Sequence, residues 1–211
     1  MESPLRDRSF GDTTGVRLIE TLFWDGTRYP RLPLHLRRLA EGASRLGFPF
    51  NAVGVQSALS TATGDTPLRV RMTLGAPGDV EVTTAPLPPT KPQWRLGLAP
   101  ARLTSGDPWL SVKSTRRAAY DAARAALPEG LDEVIFRNER DEVCDGSITS
   151  IFFDRGQGMR TPPLSSGLLP GVLRAELAVP EEVLLARDLP HVRLWVGNAL
   201  RGLIPALWAG N

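Results

Sequence analysis

At 211 residues and 23.0 kDa, with 42% hydrophobic and 23% charged residues, the chain has the composition of a globular protein and the length for one large domain or two small ones, which excludes fibrous and disordered classes. No uninterrupted apolar run approaches the roughly 20 residues that a membrane-spanning helix needs, so no membrane partner is expected. The formal charge of +2 is built from arginines that alternate with acids along most of the chain, without the clustered basic patch of a nucleic-acid binder.

Taken in chain order, Arg17–Trp24 (RLIETLFW) alternates as a strand does, and Asp25-Gly26-Thr27 supplies the turn of a first hairpin. Leu34, Leu36, Leu39, Ala43 and Leu46 recur at helical spacing, which predicts an amphipathic helix over 33–45 closed by Gly47. A second short helix is expected over 53–62, followed by strands over 68–74 and 79–85. Residues 85–93 carry four prolines and read as an extended connection, which places a small N-terminal domain at 1–86, a linker at 87–93 and a larger domain at 94–211. In the larger domain strands are expected over 94–100, 132–138, 142–145, 150–154 and 192–196. An alanine-rich helix is expected over 114–127, and another begins near Leu173. The fold class is therefore α+β.

The polar opening, MESPLRDRSFGD, lacks the apolar core of a secretion signal, so a cytoplasmic location is expected. The single cysteine, Cys144, cannot form an internal disulfide. With only His35 and His191 beside it no zinc-type ligand set assembles, and no metal is expected. Of the 25 basic residues, only Lys91 and Lys113 are lysines, and lysine can lose the proton that arginine keeps. Lys113 stands where DPWLSV meets the alanine-rich segment, a junction that can present an amine to a cleft; alternatively it is a solvated surface lysine. Arg69 and Arg71 lie two apart on an expected strand and so share a face, either to hold the carboxylates of an acidic substrate or simply to meet solvent.

Five motifs occur in order between about Glu20 and Pro205: HLRRL (35–39), VKS around Lys113, DEVIFRNERDEVCDGSITSIF (132–152), TPPLSSGLLPGVLR (161–174) and VGNALRGLIP (196–205). Together they resemble the class IV (fold type IV) aminotransferases, pyridoxal-phosphate enzymes that include branched-chain and D-amino-acid aminotransferases and 4-amino-4-deoxychorismate lyase. The resemblance implies two domains, a small N-terminal α/β one and a larger pseudo-barrel that binds pyridoxal 5'-phosphate, and a homodimer acting on a small amine or amino acid.

By that resemblance Lys113 forms the Schiff base with the cofactor and moves the proton of the substrate α-carbon, while Arg38 binds the phosphate. Asp145 stands where most of the family has the glutamate that faces the ring nitrogen, one carbon–carbon bond, roughly 1.5 Å, shorter. Ser147, Ile148 and Thr149 fall near ring and phosphate, with the Thr149 hydroxyl as side-chain donor. The turn at Gly171, Val172 and Leu173 opens a helix whose first N–H groups can cradle an anion, and Asn198 and Ala199 match a second phosphate-facing turn. Arg69, Arg71 and Glu20 are the candidate substrate contacts. The reaction implied is elimination of pyruvate to give 4-aminobenzoate. Transamination with a 2-oxo acid is the alternative, and a catalytically inactive ligand-binding relative is a third reading.

Overall fold

The computed structural model describes residues 10–62 and 64–210, so most of the polar opening lies outside the described residues. The chain divides into two compact units. One runs through Pro89 and regains the short segment Val112–Arg116; the other comprises Thr90–Ser111 and the residues from Arg117 onward.

In the first unit three antiparallel strands, β1 (Arg17–Trp24), β2 (Leu68–Gly75) and β3 (Val80–Pro86), lie in the order β1-β2-β3, with helices α1 (Leu32–Leu46) and α2 (Ala52–Ser60) between β1 and β2 in sequence. The hairpin expected after Trp24 does not form. The Asp25 carboxylate instead accepts the backbone N–H groups of Thr27 and Arg28, turning the chain into α1, and β1 takes β2 as its partner from Arg17↔Gly75 to Trp24↔Leu68. α1 buries His35, Leu39, Ala43 and Leu46, one stripe of the helix, and ends on Gly47 in the left-handed conformation (φ 71°). A Cβ at Gly42 would sit 3.2 Å from Leu18 Cδ2, so the missing side chain lets α1 lie close against β1.

The register sorts the sheet into two faces. Leu18, Glu20, Leu22 and Trp24 stand beside Leu74, Met72, Val70 and Leu68 on the face that the helices cover; Ile19, Thr21 and Phe23 stand beside Thr73, Arg71 and Arg69 on the other. The outer edge of β1 is also paired. Ile19 N–H donates to the Lys113 carbonyl (2.8 Å), Thr115 N–H donates to the Arg17 carbonyl (2.9 Å), and Ser114 stands opposite Leu18. This pairing cuts short the alanine-rich helix. Of residues 114–117, expected to open it, Ser114 and Thr115 are paired with β1 and Arg117 caps the helix, so α3 spans only Ala118–Ala125.

The second unit is a six-stranded sheet of β4 (Trp94–Leu103), β5 (Glu133–Asn138), β6 (Val143–Gly146), β7 (Ser150–Asp154), β8 (Arg193–Asn198) and β9 (Gly202–Trp208), in the order β6-β5-β4-β9-β8-β7. β4 runs parallel to both of its neighbours and the other pairs are antiparallel. The two end strands approach each other where Gly146 N–H donates to the Thr149 carbonyl (2.8 Å), so the sheet nearly closes into a barrel. Its alternation is strict. Ile135, Ile151, Phe153, Leu194, Val196 and Ile204 fill one core with Trp94 and Leu96, while Val134, Phe136 and Cys144 face a second core covered by Tyr120 and Ala123 of α3. α4 (Val172–Leu177) packs near β8.

β9 had no counterpart in the sequence reading, and its Pro205 is a residue that does not favour a central strand. It is tolerated where pairing to β4 begins one residue later, at Ala206, so the absent N–H costs no rung of that ladder. At Gly197 of β8 an added Cβ would lie 2.5 Å from Leu173 Cδ2 and 2.6 Å from the Gly202 carbonyl oxygen. Gly197→Ala is expected to lower the unfolding free energy by roughly 1–3 kcal/mol in urea titration, whereas Gly106→Ala, which meets nothing within 4 Å, changes it little.

Candidate functional site

The first unit carries Lys113, Arg38, Glu20, Arg69 and Arg71. Because Ser114 faces Leu18, the half-buried Lys113 falls on the opposite face, that of Ile19, shared with Arg69 and Arg71. The β2 arginines alternate with the buried Val70 and Met72, and both are exposed. The amine and two guanidinium groups therefore occupy one side of one small sheet.

Glu20 and Arg38 lie on the helix-covered side. Both oxygens of the Glu20 carboxylate, which is 1% exposed, are occupied: Arg38 Nε and Nη2 donate to Oε1 (2.9 Å) and Oε2 (2.7 Å), and His35 Nδ1 lies 2.6 Å from Oε2. Facing a carboxylate, His35 Nδ1 must carry its hydrogen. Burial alone would raise the Glu20 carboxyl, but the Arg38 charge and the hydrogen bonds from His35 and Arg38 outweigh it and hold the group at about 2. Glu20 thus fixes the plane of the Arg38 guanidinium from beneath the sheet and is not available as a substrate contact.

The second unit carries the other candidate residues. Asp145, on β6, is no exposed turn residue: it is 6% exposed, Oδ1 accepts the Tyr120 hydroxyl (3.1 Å) and Oδ2 accepts the Leu169 N–H (3.2 Å). The adjacent Cys144 points the other way, its thiol donating to the Ser166 carbonyl (3.3 Å). Burial, reinforced by the Asp145 charge, pushes that thiol well up, so it is no nucleophile.

The turn that follows is organised by a residue the sequence reading passed over. Glu133, at the start of β5 and 0% exposed, accepts from Ser147 N–H (3.1 Å) and Ser147 Oγ (2.5 Å) on Oε1, and from Ile148 N–H (3.1 Å) and Thr149 Oγ1 (3.0 Å) on Oε2. The Thr149 hydroxyl proton is therefore given to Glu133, which corrects the expectation that it donates to a phosphate. Gly146 is required beside this hub, since a Cβ there would lie 2.4 Å from Thr149 Oγ1 and 2.8 Å from Glu133 Oε2.

The remaining turns abut this one. Asn198 Nδ2 donates to the Ile148 carbonyl (3.1 Å) while its Oδ1 accepts Leu200 N–H and Arg201 N–H (3.1 and 3.0 Å), which shapes the turn that carries Ala199. Gly171 caps α4 without any side-chain hydrogen bond, and a Cβ on it would lie 2.4 Å from Ser150 Oγ. Val172 and Leu173 bury their side chains, so only their backbone N–H groups, which lack intrahelical partners, can meet a ligand. Among the described residues no group of three or more His, Cys, Asp and Glu could hold a metal ion, and no helix is long and apolar enough to cross a membrane. Glu133 had a signal in the sequence, an acid opening an otherwise buried apolar run; Tyr120 had none beyond its place in the alanine-rich helix.

Two of these carboxylates yield measurable expectations. Glu20 has its folded-state value depressed from 4.5 to about 2, so its contribution to stability is complete above about 4.5 and is lost as pH falls toward 2. Urea midpoints measured from pH 6 down to pH 2.5 should fall less steeply in Glu20→Gln than in the wild type. Glu133→Gln sets a donor amide against donors and should cost roughly 1–3 kcal/mol by the same measurement, through Ser147–Thr149 rather than through the helices of the first unit.

Comparison with known proteins places this geometry. The family model for amino-transferase class IV matches residues 17–207. A protein of Schizosaccharomyces pombe provisionally named as an aminodeoxychorismate lyase is 32% identical over 173 residues, covering 76% of this chain and 72% of that protein. The crystal structure of a provisionally assigned amino-acid aminotransferase from Mesorhizobium loti is 40% identical, with a TM-score of 0.88 over 92% of this chain and 100% of that one. A hypothetical aminotransferase from Mycobacterium tuberculosis, with α-ketoglutarate and PMP bound, shares the fold at 20% identity and a TM-score of 0.77, covering 92% of this chain and 81% of its own. With the match running through nearly the whole chain, this protein belongs to the class IV amino-transferase family.

Proposed function

We propose that the protein is a pyridoxal 5'-phosphate-dependent lyase of the 4-amino-4-deoxychorismate type, which eliminates pyruvate and leaves 4-aminobenzoate. The observation that carries this reading is the common sheet face of Lys113, Arg69 and Arg71: a substrate with an amine and two carboxylates suits a lysine and two guanidinium groups on one side of a sheet. The identity with the Schizosaccharomyces pombe protein supports the same choice.

The residues fit the cofactor by their donor chemistry. Asp145 is buried and each of its oxygens meets a donor, as suits an anion set beside a protonated ring nitrogen. The turn at Gly171 has no side-chain cap that would compete with an anion for its N–H groups. When bound, pyridoxal phosphate draws electrons from the α-carbon of an amine joined to its aldehyde. Lys113 would hold the cofactor through Nζ and, once displaced by the substrate amine, take the α-proton. Asp145 would keep a proton on the ring nitrogen. Arg38, oriented by Glu20, would grip the phosphate with the backbone at Val172 and Leu173 and the Asn198-Ala199 turn, while Ser147, Ile148 and Thr149 would border the ring, braced by Glu133. Arg69 and Arg71 would take the two substrate carboxylates.

Transamination is the second reading, supported by the 40% identity with the Mesorhizobium loti aminotransferase. A homodimer in the cytoplasm accords with the family resemblance. Supplying purified protein with aminodeoxychorismate, and separately with amino acids and 2-oxoglutarate, distinguishes the reactions: pyruvate is expected from the first mixture, and glutamate formation alone would favour transamination. Lys113→Ala should reduce either product to background with its melting temperature retained; sustained turnover in that variant would refute the role given to the lysine. A protein that stays colourless on incubation with pyridoxal phosphate would point instead to an inactive binding relative.

A further inference from the structure

We propose that Tyr120 is the positioning residue for Asp145, fixing the carboxylate that the proposed function sets against the cofactor's ring nitrogen; the proposal rests on that reading. The hydroxyl donates to Asp145 Oδ1 at 3.1 Å and the Leu169 N–H donates to Oδ2 at 3.2 Å, so each oxygen has a donor anchored in a different segment. The tyrosine is itself held. Its ring packs edge-on against Phe136, with centroids 4.9 Å apart and planes at 62°, and the Arg117 guanidinium lies 5.6 Å from its centroid. Arg117 in turn donates to the Ser147 carbonyl (2.8 Å) and to Asp121 (2.7 Å). The start of α3 therefore grips the 145–147 stretch at both ends, by a phenol at Asp145 and a guanidinium at Ser147.

The need for such a grip follows from the shorter acid. An aspartate reaches roughly 1.5 Å less far than a glutamate and has one torsion fewer with which to adjust, so its carboxylate must be delivered in place. Two donors on the ionised form also favour the negative charge that the ring nitrogen requires. Burial, and then the Asp145 charge, push the Tyr120 phenol far up, which keeps it a donor throughout any working pH.

Tyr120→Phe removes the hydroxyl and keeps the ring. With pyridoxal phosphate as the probe, it should bind roughly three- to tenfold more weakly than the wild type, and the pH dependence of its visible absorption should shift, at a nearly unchanged melting temperature. Equal affinity and an unchanged spectrum would overturn the proposal. A second measurement needs no cofactor. The chain has two tyrosines, so in a Tyr29→Phe background the tyrosine absorption reports on Tyr120 alone. At neutral pH a phenol that donates to a carboxylate absorbs to the red of one that does not, so adding Asp145→Asn should shift the tyrosine bands of the difference spectrum to shorter wavelength, and an unchanged spectrum would show that the hydroxyl does not hold Asp145. If the wild type takes up no pyridoxal phosphate, the functional reading beneath the proposal fails, and the apoprotein difference spectrum alone decides the Tyr120–Asp145 bond.

Discussion

A carboxylate taken out of water must be met by donors, and this constraint organises both units of the molecule. Glu20, Glu133 and Asp145 are each nearly inaccessible to solvent, and each gathers donors from segments distant in sequence. Glu20 draws Arg38 and His35 of α1 onto β1. Glu133 folds residues 147–149 around itself, and Asp145 ties β6 to α3 and to Leu169. Leaving any one of these anions unmatched would cost several kcal/mol, a large fraction of the stability of an ordinary domain. The acids thus fix the parts of the backbone from which the proposed cofactor contacts arise.

Backbone pairing does the corresponding work for the amine. Lys113 lies far in sequence from β1, yet the Ile19–Lys113 and Arg17–Thr115 bonds make residues 113–115 an added rung on that strand's edge. Alternation then decides where the lysine falls: Ser114 turns toward α1 and Lys113 toward the side of Arg69 and Arg71. A slip of one residue would send the amine under the helix instead.

Local pattern was enough to read most elements. The helical stripe of α1 with its Gly47 terminus, the alternation of β1 and β2, and the apolar runs of β5 and β7 all match what their residues predict, because there local preference and burial agree. The misreadings have two causes. Asp25-Gly26 resembles a hairpin turn, but locally the Asp25 carboxylate takes the next N–H groups and leads the chain into a helix. Long-range pairing accounts for the others: the start of the alanine-rich segment is drawn out straight against β1, and Pro205 sits in a strand whose neighbour begins one residue later. At the candidate site the sequence offers motif residues as candidates, but not the residues that support them. Nothing local to Glu133 indicates that Ser147, Ile148 and Thr149 return to it, and nothing local to Tyr120 indicates Asp145.

The account turns on which nitrogen carries the cofactor, and the scarcity of lysine makes that directly measurable. Purified protein loaded with pyridoxal phosphate, reduced with borohydride and mapped by peptide mass spectrometry should carry a stable pyridoxyl group on the peptide containing Lys113. A group found on Lys91 instead, or no modified peptide at all from a fully reconstituted sample, would contradict it.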